Sequence, residues 1–312
     1  MDEIILERLR RELLTRASLM DLPDSVWKRV GALNTWGTNA IEGNTLSLSD
    51  VEKLLIEDRT VAGKPTRDVL ETLQHEAAFR GLRHRVAKPI TSVLAQELYE
   101  SVFRGVLDDA GQWRRVNVRI AGSKHVPPRM EKVASRMEDW EEEYNRRDTL
   151  GEGVFFLAAW MHQEFESIHP FSNGNGRVGR LLLNLHFLKH NWPPVHILPP
   201  DKDRYLRLLE KGHSGDLSSL EGFLRVCSAR SLVDLLDQVG TKDDELLLLR
   251  ELGGLGPYSA QYLSLRAGQG ELPAVMVRGD WMSSRRALDI YRELLGRRQR
   301  RAKLKSAKRK TR

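Results

Sequence analysis

Apolar positions recur at helical spacing over most of the chain. In residues 1–95 the segments IILERLRRELL and VLETLQHEAAFRGL have this pattern, and the Leu22-Pro23 step interrupts it. The pattern returns at 153–168 and continues to about Asp237. The segment RLLLNLHFLKH is apolar nearly all round, so we expect it to form a buried central helix. The pattern therefore predicts a mostly α fold.

Two regions depart from continuous helical spacing. The segment VNVRI at 116–120 alternates apolar and polar residues and is followed by a turn and by Pro127-Pro128, which predicts a small β-hairpin. A second unit begins near Lys242, where DDELLLLRELGG and PYSAQYLSLRAGQG predict two short helices. LPAVMVRGDWMSS then predicts a hairpin, and RRALDIYRELL a closing helix. We therefore expect a small unit with the order helix, turn, helix, hairpin, helix.

Length and cysteine content limit the class of protein. A chain of 312 residues is long enough for two or more folding units. The single cysteine, Cys227, excludes an internal disulfide and favours a reducing compartment, so we expect a cytoplasmic protein. The densest apolar run, LLLNLHFL, is shorter than the ~20 residues that a membrane-spanning helix needs. We therefore expect no membrane association.

The positive charge is concentrated at one end of the chain. The formal net charge is +7, but the last sixteen residues contain ten Lys or Arg and no acid. The other residues carry 40 basic against 43 acidic side chains. Such a block is attracted to polyanions and is typical of a disordered terminus. We predict four ranges: an N-terminal helical region at 1–98, a core at 99–237, a small module at 238–296 and a basic tail at 297–312.

The segment HPFSNGNGRVGR, His169 to Arg180, combines residues that suit phosphate chemistry. His169 precedes Pro170, and a proline disfavours helical dihedrals in the residue before it, so the helix of 153–168 should end there. Gly174 and Gly176 let the backbone bend before a new helix near Arg177. The first N–H groups of that helix then have no partner within it. This arrangement predicts a cradle for an anion.

Two arginines strengthen this prediction. Arg177 and Arg180 lie in the first turn of the new helix, where the helix dipole disfavours cations. An anion between them would offset that cost, and a chain of phosphates fits because guanidinium groups bind phosphate oxygens in pairs. A histidine beside such a chain could deprotonate a hydroxyl that attacks phosphorus. We therefore predict a polyphosphate site with His169 as its base.

The same residues resemble the signature of the Fic (Fido) family. That signature is HPF, two variable residues, GNGR, two more variable residues and Arg. Every fixed position has its match here: His169, Pro170, Phe171, Gly174, Asn175, Gly176, Arg177 and Arg180. The resemblance covers roughly 100–228 and includes GQWRRVNVRIAGSKHVPP, HQEFESIHPF and DRYLRLLEKGHSGDLSSLEGFL.

The resemblance implies an all-helical core that transfers AMP from ATP to a hydroxyl side chain of a target protein, with release of pyrophosphate. It implies that His169 is the general base, that the loop at 174–176 and Arg177 hold the α- and β-phosphates, and that Arg180 reaches the γ-phosphate. Tyr205 lies where the family lines the nucleotide pocket, although a core position explains this residue equally well.

The hairpin at 116–128 resembles the flap on which the family docks its target as an added strand, a mode that relies on backbone hydrogen bonds. The partner implied is a protein with a Ser, Thr or Tyr hydroxyl, which includes the chain itself. The flap residues that we expect to contact it are Asn117, Val118, Arg119, Ile120 and His125.

Asn173 departs from the family pattern. Many members have Asp or Glu here, where a carboxylate ligates the Mg²⁺ that bridges the phosphates. Mg²⁺ prefers charged oxygens, and Asn offers only a neutral carbonyl. We therefore expect Asn173 to be a weak Mg²⁺ ligand.

The segment TNAIEG carries a second resemblance. Thr38 and Glu42 are four apart and so share one face of a helix that ends at Gly43. The segment is similar to the inhibitory motif of the Fic family. This similarity implies that Glu42 pairs with Arg180 and takes the place of the γ-phosphate.

The segment 246–295 resembles winged-helix DNA-binding modules of the excisionase or MerR-like kind. The candidate nucleic-acid contacts are Gln261, Arg266 and Arg278, since Arg and Gln can read base edges. Two other functions therefore stay open. The protein could be a nucleic-acid-binding regulator with a weakly active nucleotide-binding core, or a hydrolase that removes AMP with Glu42 positioning water. A homodimer is also compatible with the sequence.

Overall fold

The computed structural model describes residues 1–254 and 257–310, with side chains up to Arg297. Most of these residues are helical, which confirms the predicted fold class. The α helices are α1 (Glu3–Leu14), α2 (Asp24–Ile41), α3 (Leu48–Leu55), α4 (Thr66–Gly81), α5 (Ser92–Phe103), α6 (Val133–Thr149), α7 (Val154–Ile168), α8 (Asn175–Lys189), α9 (Lys202–Gly212), α10 (Ser218–Val239), α11 (Leu249–Gly253), α12 (Ala260–Gly268) and α13 (Arg285–Lys310). The strands are β1 (Leu247–Leu248), β2 (Val275–Val277) and β3 (Asp280–Ser283). Short 3₁₀ turns lie at Leu19–Asp21, Leu82–His84, Met130–Lys132, Pro199–Asp201 and Lys242–Asp244.

The chain divides into two compact units. One unit is Leu22–Leu224, and the other combines Met1–Asp21 with the residues from Arg225 onward. The signature segment and the TNAIEG segment both lie in the Leu22–Leu224 unit. The four domain ranges that the sequence suggests stay a prediction.

Helix α8 lies at the centre of the Leu22–Leu224 unit. Its apolar side chains are buried on all sides, which confirms the expectation of a buried central helix; they are Val178, Leu181, Leu182, Leu183, Leu185, Phe187 and Leu188. Buried polar groups of this helix have partners. The ring of His186 contacts the Tyr144 hydroxyl at 2.9 Å, and Asn184 accepts a hydrogen bond from the Val195 N–H at 2.8 Å.

Helices α7 and α8 pack closely because Gly179 has no side chain. A Cβ at Gly179 would lie 2.4 Å from Oε1 of Glu166 and 3.1 Å from Cδ1 of Phe165. Real Cβ atoms do not approach other atoms as closely as the first of these distances, so a larger residue would require the buried Glu166 side chain or the helices themselves to shift. This contact sets the spacing between the elements that carry His169 and Arg180.

The helix that carries TNAIEG ends close to Gly43, as the sequence predicts. Helix α2 ends at Ile41, and Gly43 adopts a positive φ of 93°. Ser47 then caps α3, because its side chain accepts a hydrogen bond from the Asp50 N–H while Asp50 accepts one from the Ser47 N–H.

The predicted hairpin at 116–128 is wrong as a paired structure. These residues are all described, and none of them is in a strand; the chain runs extended on either side of a turn at Ala121-Gly122. One hydrogen bond closes this turn, from the Ser123 N–H to the Ile120 carbonyl at 3.2 Å. Two consecutive prolines at the end of the segment lack N–H donors and so shorten any possible ladder.

The C-terminal unit also differs from its prediction at one point. The segment DDELLLLRELGG is not one helix, because Leu247 and Leu248 pair with Ser283 and Met282 in an antiparallel sheet of order β1-β3-β2. Only α11 remains helical there. The second short helix, the hairpin and the closing helix are confirmed as α12, β2–β3 and α13.

Helix α13 continues to Lys310 and so enters the basic range for which the sequence predicts disorder. Lys, Arg and Ala are good helix formers, which favours this continuation. The predicted tail also includes residues 311–312 and the side chains beyond Arg297, which lie outside the described part. Within the described residues, no helix has both the length and the apolar character that crossing a bilayer requires.

The close packing of α7 on α8 gives a stability prediction. Replacing Gly179 with Ala should lower the free energy of unfolding by about 1–3 kcal/mol, since overpacking outweighs the gain in helix propensity. Urea-induced unfolding of the full chain measures this change. Gly222→Ala is the matched control, because a Cβ at Gly222 in α10 meets no atom within 4 Å. It should leave the stability unchanged or raise it, and an equal effect of both substitutions would contradict the packing argument.

Candidate active site

The signature segment forms the junction between α7 and α8. His169 ends α7 in the left-handed conformation, with φ 50° and ψ 61°. Gly174 is also left-handed, at φ 73°, and α8 begins at Asn175, two residues before the predicted start. A Cβ at Gly174 would lie 2.3 Å from the Phe103 ring, so both the conformation and the space require glycine.

Asn175 closes this loop. Its side-chain amide donates to the Phe171 carbonyl at 2.9 Å, and its side-chain oxygen accepts from the Phe171 N–H at 2.9 Å. Both side-chain polar groups of Asn175 are therefore occupied by the backbone, and the side chain shapes the loop. The first N–H groups of α8 have no carbonyl partner within the helix, so an anion could approach them.

His169 is mostly buried, and its Nδ1 makes no hydrogen bond among the described residues. Burial lowers the pKa of His169 to about 4. The imidazole is therefore neutral at physiological pH and keeps a lone pair that can accept a proton. This state suits the predicted role of a general base.

Arg180 lies in the first turns of α8 and is 4% exposed. Its Nε donates to Oγ1 of Thr38 at 2.5 Å, and its Nη2 donates to Oε1 of Glu42 at 2.6 Å and to the Thr38 carbonyl at 3.3 Å. The structure therefore brings together Thr38, Glu42 and Arg180, which are far apart in sequence.

The Glu42 carboxylate lies directly over the start of α8. A Cβ at Gly176 would be 2.5 Å from Oε1 of Glu42 and 2.8 Å from Nη1 of Arg180. Burial raises the pKa of Glu42. The charge of Arg180 and its hydrogen bond lower the pKa, and together with the other nearby cations they outweigh burial, so the net pKa is below its usual value. Glu42 is thus held as an anion against the N-terminal end of the helix.

Arg177 has a different carboxylate partner. Its Nη1 donates to Oε2 of Glu71 on α4 at 2.6 Å, and the two side chains are only 4% and 7% exposed. The guanidinium also stacks on the Phe103 ring, 4.4 Å from its centroid. Its Nε is buried and makes no hydrogen bond among the described residues. Arg177 therefore reaches the cradle with its charge already balanced.

Tyr205 lies in the core behind α8. It is 1% exposed, its hydroxyl contacts Nε2 of His162 at 2.6 Å, and Arg180 lies 5.9 Å from its ring centroid. Glu166 is buried in the same region, and burial raises its pKa to about 8, so it is protonated at neutral pH. These groups support Arg180 from within the protein and leave no open surface on Tyr205.

The flap, residues 116–128, is fixed at several points. Ser123 donates to the Glu210 carboxylate at 2.5 Å, and the His125 ring stacks on His213 at 3.9 Å and contacts the Ser167 carbonyl at 2.9 Å. The side chain of Asn117 accepts a hydrogen bond from the Met130 N–H at 2.9 Å. The other flap candidates are exposed or half-buried: Val118, Arg119 and Ile120.

Asn173 is exposed in the loop before α8. Among the described residues, no group of three or more His, Cys, Asp or Glu side chains could hold a metal ion. At this position the protein therefore offers Mg²⁺ one neutral amide oxygen. Coordination of the ion would depend mainly on oxygen atoms of a bound ligand.

The candidate nucleic-acid residues lie in the C-terminal unit, and their side chains differ in availability. Gln261 on α12 and Arg278 at the β2–β3 turn are exposed. Arg266 is engaged, because its Nη1 donates to Gln269 at 2.9 Å and to Glu271 at 3.1 Å. This engagement makes Arg266 the weakest of the three candidates.

Sequence reasoning missed two site residues, Glu71 and Arg114. Glu71 follows Arg67 at the helical spacing of four, which suggests only a surface pair; Arg67 does contact it at 2.9 Å. Arg114 precedes a second arginine in GQWRR, and nothing in the sequence tells which of the two is buried. In the structure Arg114 is 2% exposed and contacts the loop that carries His169.

Comparisons with known proteins agree with this geometry. Residues 89–187 match the model of the Fic/DOC family. A protein adenylyltransferase Fic from Culex quinquefasciatus is 30% identical over 200 residues, which are 62% of this chain and 39% of that protein. One from Nematostella vectensis is 30% identical over 200 residues, 62% of this chain and 46% of that protein. The chain thus spans less than half the length of these relatives.

Solved structures have the same fold. Fic-1 from C. elegans is 28% identical, with a TM-score of 0.64 over 75% of this chain and 70% of that chain. A Fic domain containing signaling protein from Bacteroides thetaiotaomicron has a TM-score of 0.68 at 22% identity, over 75% of this chain and 97% of that chain. This chain contains a Fic/DOC-family domain at residues 89–187, has the Fic fold, and is related to the protein adenylyltransferases named Fic.

Proposed function

We propose that this protein is an autoinhibited protein adenylyltransferase, which transfers AMP from ATP to a hydroxyl side chain of a target protein and releases pyrophosphate. One observation carries the proposal: Glu42 binds Arg180 at the N-terminal end of α8, in the loop region that also presents a neutral His169. The names of the relatives from Culex quinquefasciatus and Nematostella vectensis support the reaction.

In the proposed reaction the target hydroxyl attacks the α-phosphorus of ATP. His169 takes the hydroxyl proton, a bond forms between the hydroxyl oxygen and phosphorus, and the bond to the bridging oxygen breaks. Pyrophosphate leaves with the electron pair of that bond. The N–H groups at the start of α8 and the arginines stabilise the charge on the phosphate oxygens.

The proposed brake is electrostatic and steric. The γ-phosphate of a productively bound ATP needs the place beside Arg180 and Gly176 that the Glu42 carboxylate occupies. Two anions at one place repel each other, so Glu42 must leave before ATP can bind productively. The Thr38 hydroxyl holds Arg180 in the orientation that Glu42 requires.

Mg²⁺ enters this proposal with the nucleotide. Asn173 would supply one neutral oxygen, and the phosphates and water would supply the remaining ligands; the ion would balance charge on the phosphates. The flap is proposed to receive an extended segment of the target, since the described hydrogen bonds leave the backbone of residues 117–119 available for an added strand.

A nucleic-acid-binding role for the module at 238–296 remains a proposal from the sequence, as do the homodimer and the cytoplasmic location. Its support is the exposure of Gln261 and Arg278 and the ten basic residues at the C-terminus. Removal of AMP with Glu42 positioning water is a further possibility, for which the geometry gives no specific support.

Removing the proposed brake should activate transfer. Glu42→Gly removes the carboxylate that competes with the γ-phosphate for Arg180. Self-labelling with α-labelled ATP should therefore rise by about tenfold or more, which corresponds to ~1.4 kcal/mol. Adding His169→Ala should abolish this gain. The exposed Glu52→Ala on α3 is the control and should behave as wild type. Labelling of the Glu42→Gly protein no greater than that of wild type would refute the brake.

Restoring a carboxylate beside the phosphates should strengthen the use of Mg²⁺. In the Glu42→Gly background, Asn173→Asp should lower the Mg²⁺ concentration for half-maximal transfer by about threefold or more, since charged oxygens are better Mg²⁺ ligands. A metal titration of labelling measures this. Asn173→Ala, which removes the oxygen, should leave that concentration unchanged or raise it. Equal midpoints for Asp and Ala would argue against a ligand role for this position.

The charge of Glu71 should limit nucleotide affinity. Glu71→Gln retains a hydrogen-bond acceptor for Arg177 but removes the negative charge, so ATP should bind about three- to tenfold more tightly, ~0.7–1.4 kcal/mol. Calorimetric titration of the Glu42→Gly protein with ATP measures the Kd. Glu76→Gln, on the same helix and 5% exposed, pairs with Arg80 and serves as the matched control. Weaker binding in Glu71→Gln would show that the carboxylate only supports the arginine.

A further inference from the structure

Arg114 is a buried arginine without an acidic partner. It is 2% exposed, and no carboxylate of the described residues forms an ion pair with it. Its guanidinium donates instead to three backbone carbonyls: Nε to His169 at 2.9 Å, Nη1 to Val116 at 2.8 Å and Nη2 to Pro128 at 2.5 Å. The Arg114 N–H also donates to the Pro170 carbonyl at 2.9 Å.

This burial has a cost that the contacts must offset. Taking a guanidinium out of water costs several kcal/mol, and hydrogen bonds from a charged donor return about 1.5–3 kcal/mol each. A guanidinium has donors in a fixed planar arrangement, which matches three carbonyls in different directions better than an ammonium group does. The three acceptors therefore require arginine specifically.

Two of the contacts hold the backbone of the predicted base. His169 has φ 50°, and the left-handed conformation costs a residue with a Cβ about 1–2 kcal/mol. Such strain persists only when surrounding contacts impose it. Arg114 binds the carbonyls of His169 and Pro170, which belong to the two peptides that follow the strained residue, and so restrains the backbone that carries the imidazole.

The other two contacts hold the flap. Val116 and Pro128 are the first and last residues of the flap at 116–128, and both give their carbonyls to the same guanidinium. One side chain thus joins both ends of the flap to the peptide of His169. This shared group links the position of the flap ends to that of the His169 peptide.

We infer that Arg114 is a positioning residue that fixes the flap relative to His169, so that a hydroxyl carried by the docked target segment meets the imidazole. This inference rests on the proposed AMP transfer. Arg114 contacts neither the start of α8 nor Arg180 among the described contacts, so its role concerns the hydroxyl and the base, and not the binding of ATP.

The charge of Arg114 also acts on the histidine. After burial, which lowers the pKa of His169 most, Arg114 and His125 lower it further, while the Glu166 carbonyl and the Glu42 carboxylate oppose them. Loss of the positive charge should therefore raise the pKa of His169. Loss of the planar donor arrangement with the charge retained should leave the pKa of His169 nearly unchanged. The two kinds of substitution therefore distinguish an effect of the charge from an effect of the geometry.

The test compares Arg114→Lys, Arg114→Met and Arg115→Met in the full-length Glu42→Gly protein. Arg115 is exposed and contacts Gln112, so Arg115→Met is the matched control. The measurements are the kcat of transfer, the Kd of ATP, the melting temperature, and the titration of the His169 imidazole by NMR, assigned with His169→Gln.

Both Arg114 variants should lower kcat by about tenfold to hundredfold, since a misplacement of about 1 Å can cost a hundredfold in rate. The Kd of ATP should stay within about twofold of the parent. Arg114→Met should raise the pKa of His169 and shift the acid limb of the rate profile upward, whereas Arg114→Lys should lower kcat with little shift. Arg115→Met should match the parent in all four measurements.

Two results would overturn the inference: unchanged kcat in both variants, or parallel losses of kcat and ATP affinity, which indicate general unfolding of the site. If Arg114→Met fails to fold, Arg114→Lys provides the decisive comparison. If the Glu42→Gly parent itself transfers no AMP, the proposed function fails. The NMR signals of the His169 imidazole then decide on Arg114: chemical shifts unchanged from the parent in both Arg114→Lys and Arg114→Met would reject the positioning role.

Discussion

Arg180 is buried at the N-terminal end of α8, where the helix dipole is already positive, and such a group needs an anion beside it. In this structure the anion is Glu42, which reaches Arg180 from the end of α2. The requirement explains several features together. Gly176 leaves room for the carboxylate, Thr38 orients the guanidinium, and Tyr205 supports it from the core. A phosphate oxygen would meet the same electrostatic requirement, so in the proposed mechanism a γ-phosphate and the Glu42 carboxylate compete for the place beside Arg180.

The two arginines of the signature differ in how their charge is balanced, and this difference decides which of them can respond to a ligand. Glu42 follows the last residue of α2 as its C-cap, beside a glycine, and 32% of its side chain is exposed. Glu71 lies within α4, and only 7% of its side chain is exposed. A carboxylate with access to solvent can be displaced at low cost, because water rehydrates it; a buried one would lose its partner without compensation. Of the two arginines, Arg180 is therefore the one whose carboxylate partner can be exchanged at the lower cost.

The sequence was sufficient for the parts of the site that depend on local backbone geometry. Pro170 and Gly174 determine where α7 ends and α8 begins, and these effects act within a few residues. The contact of Glu42 with Arg180 could be anticipated only from the resemblance of TNAIEG, because 138 positions separate the two residues. Glu71 and Arg114 could not be found, since each acts on a distant segment and neither belongs to a local pattern.

The strand at Leu247-Leu248 was missed for a similar reason. A leucine-rich run is compatible with either a helix or a strand, and here the pairing with β3 makes it a strand. In the flap a hairpin was predicted where the structure has no paired strand. Alternation of apolar and polar residues predicts an extended backbone, but it does not show whether a second strand pairs with it.

The strained conformation of His169 connects these observations. A left-handed residue at the end of a helix turns the chain sharply, which lets the imidazole leave the axis of α7 while the next residues bend toward the start of α8. The conformation is unfavourable alone, and its retention requires contacts on both sides. On the α8 side the side chain of Asn175 binds the backbone of Phe171, and on the flap side Arg114 binds the carbonyls of His169 and Pro170. Both sets of contacts use backbone atoms of the loop and leave the imidazole side chain out. Because these contacts act on the backbone, they can restrain the position of His169 without occupying the ring nitrogens that would take part in the proposed proton transfer.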